Sequence, residues 1–241
     1  MKNDLIQEAK KFYIESVEKE LNSKFEDSMH SRFRQLNSIC DVLETNFELE
    51  KINFLETGTS QNFKDGCLGL FFAYLVKETE GKFYTVDIFE DKVQKTKEIL
   101  EKYIPNLDAR FYVDDSVNFC KNTQMTFNLI HLDSWDFDLK NPFPSALHGW
   151  REFETLQDKV EDGGIVIVDD NWMKDSWLQW NWHNSEGEIV SHERIDINYP
   201  IVGKGAHVYQ YVDSDKNWEL LGNHYNVGEN VKVIVKKNCK E

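Results

Sequence analysis

From Asn53 onward the chain alternates between two patterns, and no other feature constrains its fold as much. Short apolar or β-branched runs form one pattern: Phe54-Leu55, Lys82 to Ile88 (KFYTVDI), Ala109 to Val113, Phe127 to Leu132 and Ile165 to Val168. Stretches with helical spacing form the other: Cys67 to Glu78, Asp91 to Tyr103, a short one from Ser116, and Ser145 to Val160. In the earliest of these, Leu68, Phe71, Phe72, Leu75 and Val76 fall on one side. Strands alternating with helices of this length predict an α/β fold, a mostly parallel sheet with helices on both faces. Ala206 to Val212 and Val231 to Lys236 read as two more strands, an antiparallel pair at one edge. Between them and strand five, residues 171–205 read as long, irregular and aromatic. Leu5 to Leu21 and Arg32 to Glu44 read as helices, which divides the chain into an N-terminal helical cap (1–50) and an α/β domain (51–241).

Composition bounds the partners. The chain has 241 residues and a formal net charge of −15. Phosphate backbones need a basic face, so nucleic acid is not an expected partner, and a polyanionic membrane surface is disfavoured for the same reason. No run approaches the roughly 18 apolar residues of a membrane span. The charged, amphipathic N-terminus lacks the apolar core of a signal peptide. Cys40, Cys67, Cys120 and Cys239 are scattered and form no C-x-x-C. Reduced thiols in the cytoplasm fit that usage better than disulfides or zinc.

In open α/β sheets ligands bind beyond the carboxyl ends of the strands. Each predicted strand delivers an acid there: Glu56, then Asp87, then Asp114 and Asp115, then Asp133, then Asp169 and Asp170. Any one of these could be a loop or helix-capping residue. Five in register imply a compensating charge, either an ammonium or sulfonium group or a divalent cation. The first turn, ETGTSQNFKDG, lacks the G-x-G-x-x-G of dinucleotide sites. Glu56 would repel a pyrophosphate but suits an amino-acid ammonium beside a sulfonium. Asp87 stands where a carboxylate accepts hydrogen bonds from ribose hydroxyls. Together these favour S-adenosylmethionine (SAM) over a nicotinamide cofactor.

From Asn53 to about Lys236 the chain resembles class I SAM-dependent methyltransferases, which have a Rossmann-like sheet of seven strands with an antiparallel edge. Glu56-x-Gly58, with Thr59 and Ser60, resembles the first motif of that family, and Asp87 its ribose-binding acid. Asp115-Ser116 resembles the GDS segment beside the adenine, although Asp114 replaces the glycine. LDSW (Leu132 to Trp135) and GIVIVDDN (Gly164 to Asn171) are similar to segments of metal-dependent small-molecule O-methyltransferases of the catechol and macrolide-sugar types. That resemblance implies Mg²⁺ held by Asp133, Asp170 and Asn171, with Asp169 as a further ligand and Asp133 also near the cofactor. It implies methyl transfer to a hydroxyl of a small molecule or sugar. The catechol enzyme has a lysine, and the sugar-modifying ones a histidine, where this chain has Asp136. Asp136 or His148 is therefore the expected base. The same departure keeps open a non-catalytic, SAM-binding scaffold, while a nicotinamide-dependent oxidoreductase is the less favoured alternative.

Trp172, Trp177, Trp180 and Trp182 cluster in WMKDSWLQWNWHN. They suit a packed lid, the interface of a homo-oligomer, or a wall for a sugar-like acceptor. His183 lies in the same segment. Gly203-Lys204-Gly205 reads as a hinge or turn, with Lys204 a contact for an anionic substrate.

Overall fold

The computed structural model describes residues 2–138, 140–184, 188–221 and 230–239. Three helices, α1 (Lys2–Leu21), α2 (Phe25–Ser28) and α3 (His30–Asn46), precede the sheet. Then β1 (Asn53–Thr57), α4 (Gly69–Glu78), β2 (Lys82–Asp87), α5 (Glu90–Tyr103), β3 (Ala109–Val113), α6 (Ser116–Asn122), β4 (Phe127–Leu132), α7 (Phe143–Leu156) and β5 (Val160–Met173) alternate. The chain ends with β6 (Trp177–His183), β7 (Ile189–Asp196), β8 (Ile201–Gly203), α8 (Ala206–Val212), β9 (Trp218–Leu221) and β10 (Val231–Lys237).

The main sheet has the order β3-β2-β1-β4-β5-β10-β9, with β8 pairing on β5. β1 to β5 are parallel, whereas β10 is antiparallel to both β5 and β9. The expected α/β architecture is present: a mostly parallel sheet, an antiparallel edge and helices on both faces. The alternating side chains of each strand divide between two cores. Phe54, Phe83, Leu129, Ile165, Ile167 and Ile234 pack with α1, α3 and α4. Leu55, Val86, Ile130, Leu132, Val166, Val168 and Val235 pack with α6, α7 and α8. Burial on both faces is why these strands read as apolar runs rather than as alternating patterns.

Two expectations are corrected. Ala206–Val212 is not a strand but helix α8, and the edge partner of β10 is β9. The A-H-V-Y-Q-Y-V pattern alternates like a strand. Yet β9 runs parallel to β5, so the chain must cross back along one sheet face before it can pair. α8 makes that return, burying Val208 and Val212 one turn apart. The second correction concerns residues 171–205, which are not irregular. β6 and β7 form a separate antiparallel hairpin with Trp177 opposite Asp196 and Trp180 opposite Glu193. Its aromatic and β-branched residues suit that pairing. The side chains of Trp180, Trp182 and His183 lie outside the described residues.

Candidate functional site

The carboxyl ends of β1, β2, β4 and β5 open into one cleft of about 210 Å³. Gly58, Thr59, Ser60, Asp87, Asp133, Asp136, Asp169 and Asp170 line it. Glu56, Asp115, Ser116, His148 and Asn171, also expected at the site, do not.

β1 ends at Thr57, and Gly58 turns the chain with φ 77°. Its amide donates to the Val86 carbonyl at 2.9 Å. A Cβ here would lie 2.3 Å from the Asp133 carbonyl oxygen, so the turn can press against the β4 end only as glycine. Next to it, Asp87 accepts from the Thr59 amide at 3.1 Å and the Phe89 amide at 2.9 Å. It is 8% exposed and faces the cleft. Around it stands an apolar ledge: Ile88 is 61%, Phe89 54% and Val113 53% exposed. Val113 is the register partner of Asp87 on β3.

Glu56 lies beneath the turn, fully buried. Its carboxylate accepts from the Ser60 amide at 3.3 Å, the Thr85 hydroxyl at 3.1 Å and the Ser60 hydroxyl. The Ser60 oxygen in turn accepts from the Gly69 amide at 2.9 Å, at the start of α4. Glu56 thus ties the turn to a helix N-terminus, where backbone donors favour negative charge. Asp115 caps α6 by accepting from the Asn118 amide at 2.9 Å. Ser116 turns to His148, 3.0 Å from its Nε2. His148 Nε2 is also 2.8 Å from the Ser134 hydroxyl, which donates to the buried Glu152 at 2.6 Å. His148 is therefore one member of a Ser116–Ser134–Glu152 network, with the Trp135 ring tilted against its own at a centroid distance of 4.9 Å. Asp136 is exposed in the cleft, and nearby Phe137 packs at a tilt against Trp172, with ring centroids 4.6 Å apart.

At the β4 and β5 ends each acid has a charged or amide partner from a distant part of the chain. Asp169 binds Lys232 and, at 3.2 Å, the Arg32 guanidinium of α3. Asp170, at φ 53°, accepts from Asn230 Nδ2 at 2.6 Å and pairs with Lys204 at 2.9 Å. Lys204 also binds Asp133. Burial, the largest single influence, would raise the Asp133 carboxyl, but Lys204, His131, Lys232 and Arg32 together outweigh it and hold Asp133 well below the usual carboxylate range. Burial would lower Lys204, but Asp133 and Asp170 raise it above the ordinary lysine range. Below them, His131 sits between Glu56 at 4.0 Å and Asp169 at 3.6 Å, with neither ring nitrogen hydrogen-bonded among the described residues.

The expected metal donors do not fit a divalent ion here. The Asn171 oxygen accepts from the Gly205 amide at 2.6 Å, and its Nδ2 donates to the Val168 and Asp169 carbonyls. The space between Asp133 and Asp170 holds an ammonium. His131, Asp133 and Asp169 offer donor atoms within 4.8 Å of one another, but Lys232, Arg32 and Lys204 already bind the two acids.

Arg32, Lys232, His131 and Asn230 have no expected role from sequence. Three of them lie far in the chain from the acids they meet. Lys204 carried a visible signal, its two flanking glycines, but its partners are acids of the chain itself.

No protein-family profile matches the chain, and no curated protein does either. Solved structures do. The chain is similar to a SAM-dependent methyltransferase from Clostridium acetobutylicum, with 13% identity, a TM-score of 0.50, and 89% of this chain and 97% of that one covered. It is similar to an O-methyltransferase from Bacillus cereus in complex with S-adenosylhomocysteine (SAH), with 16% identity, a TM-score of 0.51, and coverage of 87% and 80%. It is also similar to a candidate rRNA methylase from Clostridium thermocellum, with 14% identity, a TM-score of 0.53, and coverage of 86% and 97%. The chain shares the α/β, Rossmann-like fold of these methyltransferases. At these identities the likeness concerns the fold and leaves the acceptor open. Within the methyltransferase fold, the cleft described above lies at the carboxyl ends of β1, β2, β4 and β5, where open α/β sheets hold their ligands. Among the described residues no helix is long and apolar enough to cross a membrane.

Proposed function

We propose that the chain is a SAM-dependent methyltransferase acting on an oxygen nucleophile of a small or sugar-like acceptor. The observation that carries this reading is Asp87 at the cleft edge beside the exposed ledge of Ile88, Phe89 and Val113. A carboxylate that still has free lone pairs suits the two ribose hydroxyls, and a partly exposed apolar ledge suits a flat heteroaromatic base. The donor chemistry is that of a sulfonium methyl group. Gly58 lets the first turn approach the cofactor closely, and Thr59 and Ser60 line its path. Asp136, exposed in the cleft, is placed to take the acceptor proton as its oxygen attacks the methyl carbon and the C–S electron pair returns to sulfur. Phe137 and Trp172 form an aromatic pair next to Asp136, suited to the face of a sugar ring. His148, held in its serine network, orients the β4 end rather than reaching the cleft. The excess of acids argues against an rRNA acceptor, whose phosphates need cationic contacts. We further read residues 1–50 as a cap that completes the cleft, because Arg32 lines it and Tyr13 donates to the Gly66 carbonyl.

Isothermal titration with SAM tests the reading. One saturable site is expected, weakened by Asp87→Ala. Absence of binding to wild type, or an unchanged affinity in Asp87→Ala, removes it. Turnover against a panel of hydroxylated acceptors then separates an enzyme from a SAM-binding scaffold.

A further inference from the structure

Lys204 is 4% exposed, yet it is an ammonium at the edge of an open cleft. Burying a charge costs several kcal/mol unless excellent geometry offsets it. Here two carboxylates do so: Asp133 and, at 2.9 Å, Asp170. Those are the two carboxylates that the sequence assigns to Mg²⁺.

The backbone fixes the lysine in that position. β8 pairs with β5 so that Gly203 lies opposite Asn171. The Lys204 amide donates to the Asp170 carbonyl at 3.2 Å, and the Gly205 amide to Asn171 Oδ1 at 2.6 Å. Gly203 has φ 132°, and a Cβ there would lie 2.0 Å from the Asp170 carbonyl oxygen. The segment is thus bound to Asp170 and Asn171 on both sides of Lys204. Asn171, the third expected metal ligand, uses its only amide oxygen to hold the loop that delivers the lysine. The residues expected to bind an ion bind this loop instead.

We propose that Lys204 is the resident cation of the site: its ammonium fills the position between Asp133 and Asp170 that a divalent ion would take, so the cleft works without a metal. The part of this that concerns SAM rests on the methyltransferase reading, whereas the part that concerns metal does not. A divalent ion added beside the ammonium would meet a like charge at contact distance, and Asn171 would have to give up Gly205 to reach it.

Mn²⁺ titration followed by electron paramagnetic resonance tests the proposal on wild type and on Lys204→Met, which keeps the side-chain length and removes the charge. Wild type is expected to show no saturable Mn²⁺ binding. Lys204→Met is expected to gain one site, lost again when Asp170→Asn is added. Calorimetry of SAM binding to wild type is expected to give the same affinity in EDTA and in Mg²⁺, within about twofold. Saturable Mn²⁺ binding by wild type that Asp170→Asn abolishes overturns the proposal. So does a folded Lys204→Met that gains no site, or a wild-type SAM affinity that falls about tenfold or more in EDTA. If Lys204→Met does not fold, the two wild-type measurements decide alone. Failure to bind SAM under any condition strikes the methyltransferase reading and leaves the Mn²⁺ result standing.

Discussion

The two halves of the cleft rim carry similar acids but treat them differently. At the ends of β1 and β2, Glu56 and Asp87 are held by neighbours: Ser60, Thr85, Thr59 and Phe89 supply neutral amide and hydroxyl donors. At the ends of β4 and β5, Asp133, Asp169 and Asp170 are held mainly by basic side chains from afar: the charged Arg32 and Lys204, and Lys232, which burial and Arg32 push well below the ordinary lysine range. Neutral donors leave a carboxylate its charge and some lone pairs, so Asp87, which lines the cleft, keeps capacity for a ligand, while the buried Glu56 holds the turn. Cationic partners cancel the charge, so the second half is built as a closed structural element. An acid at a strand end is therefore not by itself a binding residue. What decides its role is whether the protein has already supplied the counter-charge.

Four measurements test that contrast. Asp169→Ala should have the largest effect, because it leaves Arg32 and Lys232 facing each other without their shared carboxylate. Removing one partner of a buried pair costs ~3–5 kcal/mol, so urea denaturation should show a loss of that size. A loss below ~1 kcal/mol would mean that the second half is not held by its charges. Gly58→Ala tests the seam between the halves. The positive φ and the contact with the Asp133 carbonyl should together cost about 2–4 kcal/mol by the same measurement. Asp87→Ala should act on ligand rather than fold, weakening SAM roughly 10–100-fold, or ~1.4–2.7 kcal/mol, by calorimetry. If it reduced stability by as much as Asp169→Ala while leaving affinity unchanged, the contrast would fail.

The smallest expected effect concerns pH. The Asp133 pKa is lowered in the folded chain. Its contribution is therefore present above the ordinary value of about 3.9 and lost as pH falls through the folded value. The Lys204 pKa is raised. Its contribution is present below about 10.4 and lost as pH rises through the folded value. The stability difference between wild type and Lys204→Met should thus be flat from about pH 5 to 9. A slope near neutrality would show that the pair does not titrate alone.

Much of the parallel sheet was legible in the sequence because its strands are buried on both faces and separated by helices with clear spacing. Phe54-Leu55 and Ile165 to Val168 needed no more than their apolar runs and flanking turns to be seen. Ala206 to Val212 was misread because seven residues of alternating character satisfy a strand and a short helix equally well. Only the direction of β9 decides between them. At the site, Gly58 and Asp87 could be placed from local order alone, since Gly58 follows β1 immediately and Asp87 is the last residue of β2. Asn171 could not: whether its amide oxygen faces a cleft or a backbone amide depends on β8 returning beside β5.

The alternating α/β order, the glycine turn after β1, the acids at or near the ends of β1 to β4 and the pair Asp169-Asp170 in β5 are all legible in short stretches of sequence. These follow from local patterns, which tertiary packing had no freedom to change. Which acids stay available depends on how distant segments pack. The partners of Asp133, Asp169 and Asp170 lie far along the chain, and nothing in local sequence records that an arginine from α3, a lysine after β8 and a lysine on β10 converge on one rim.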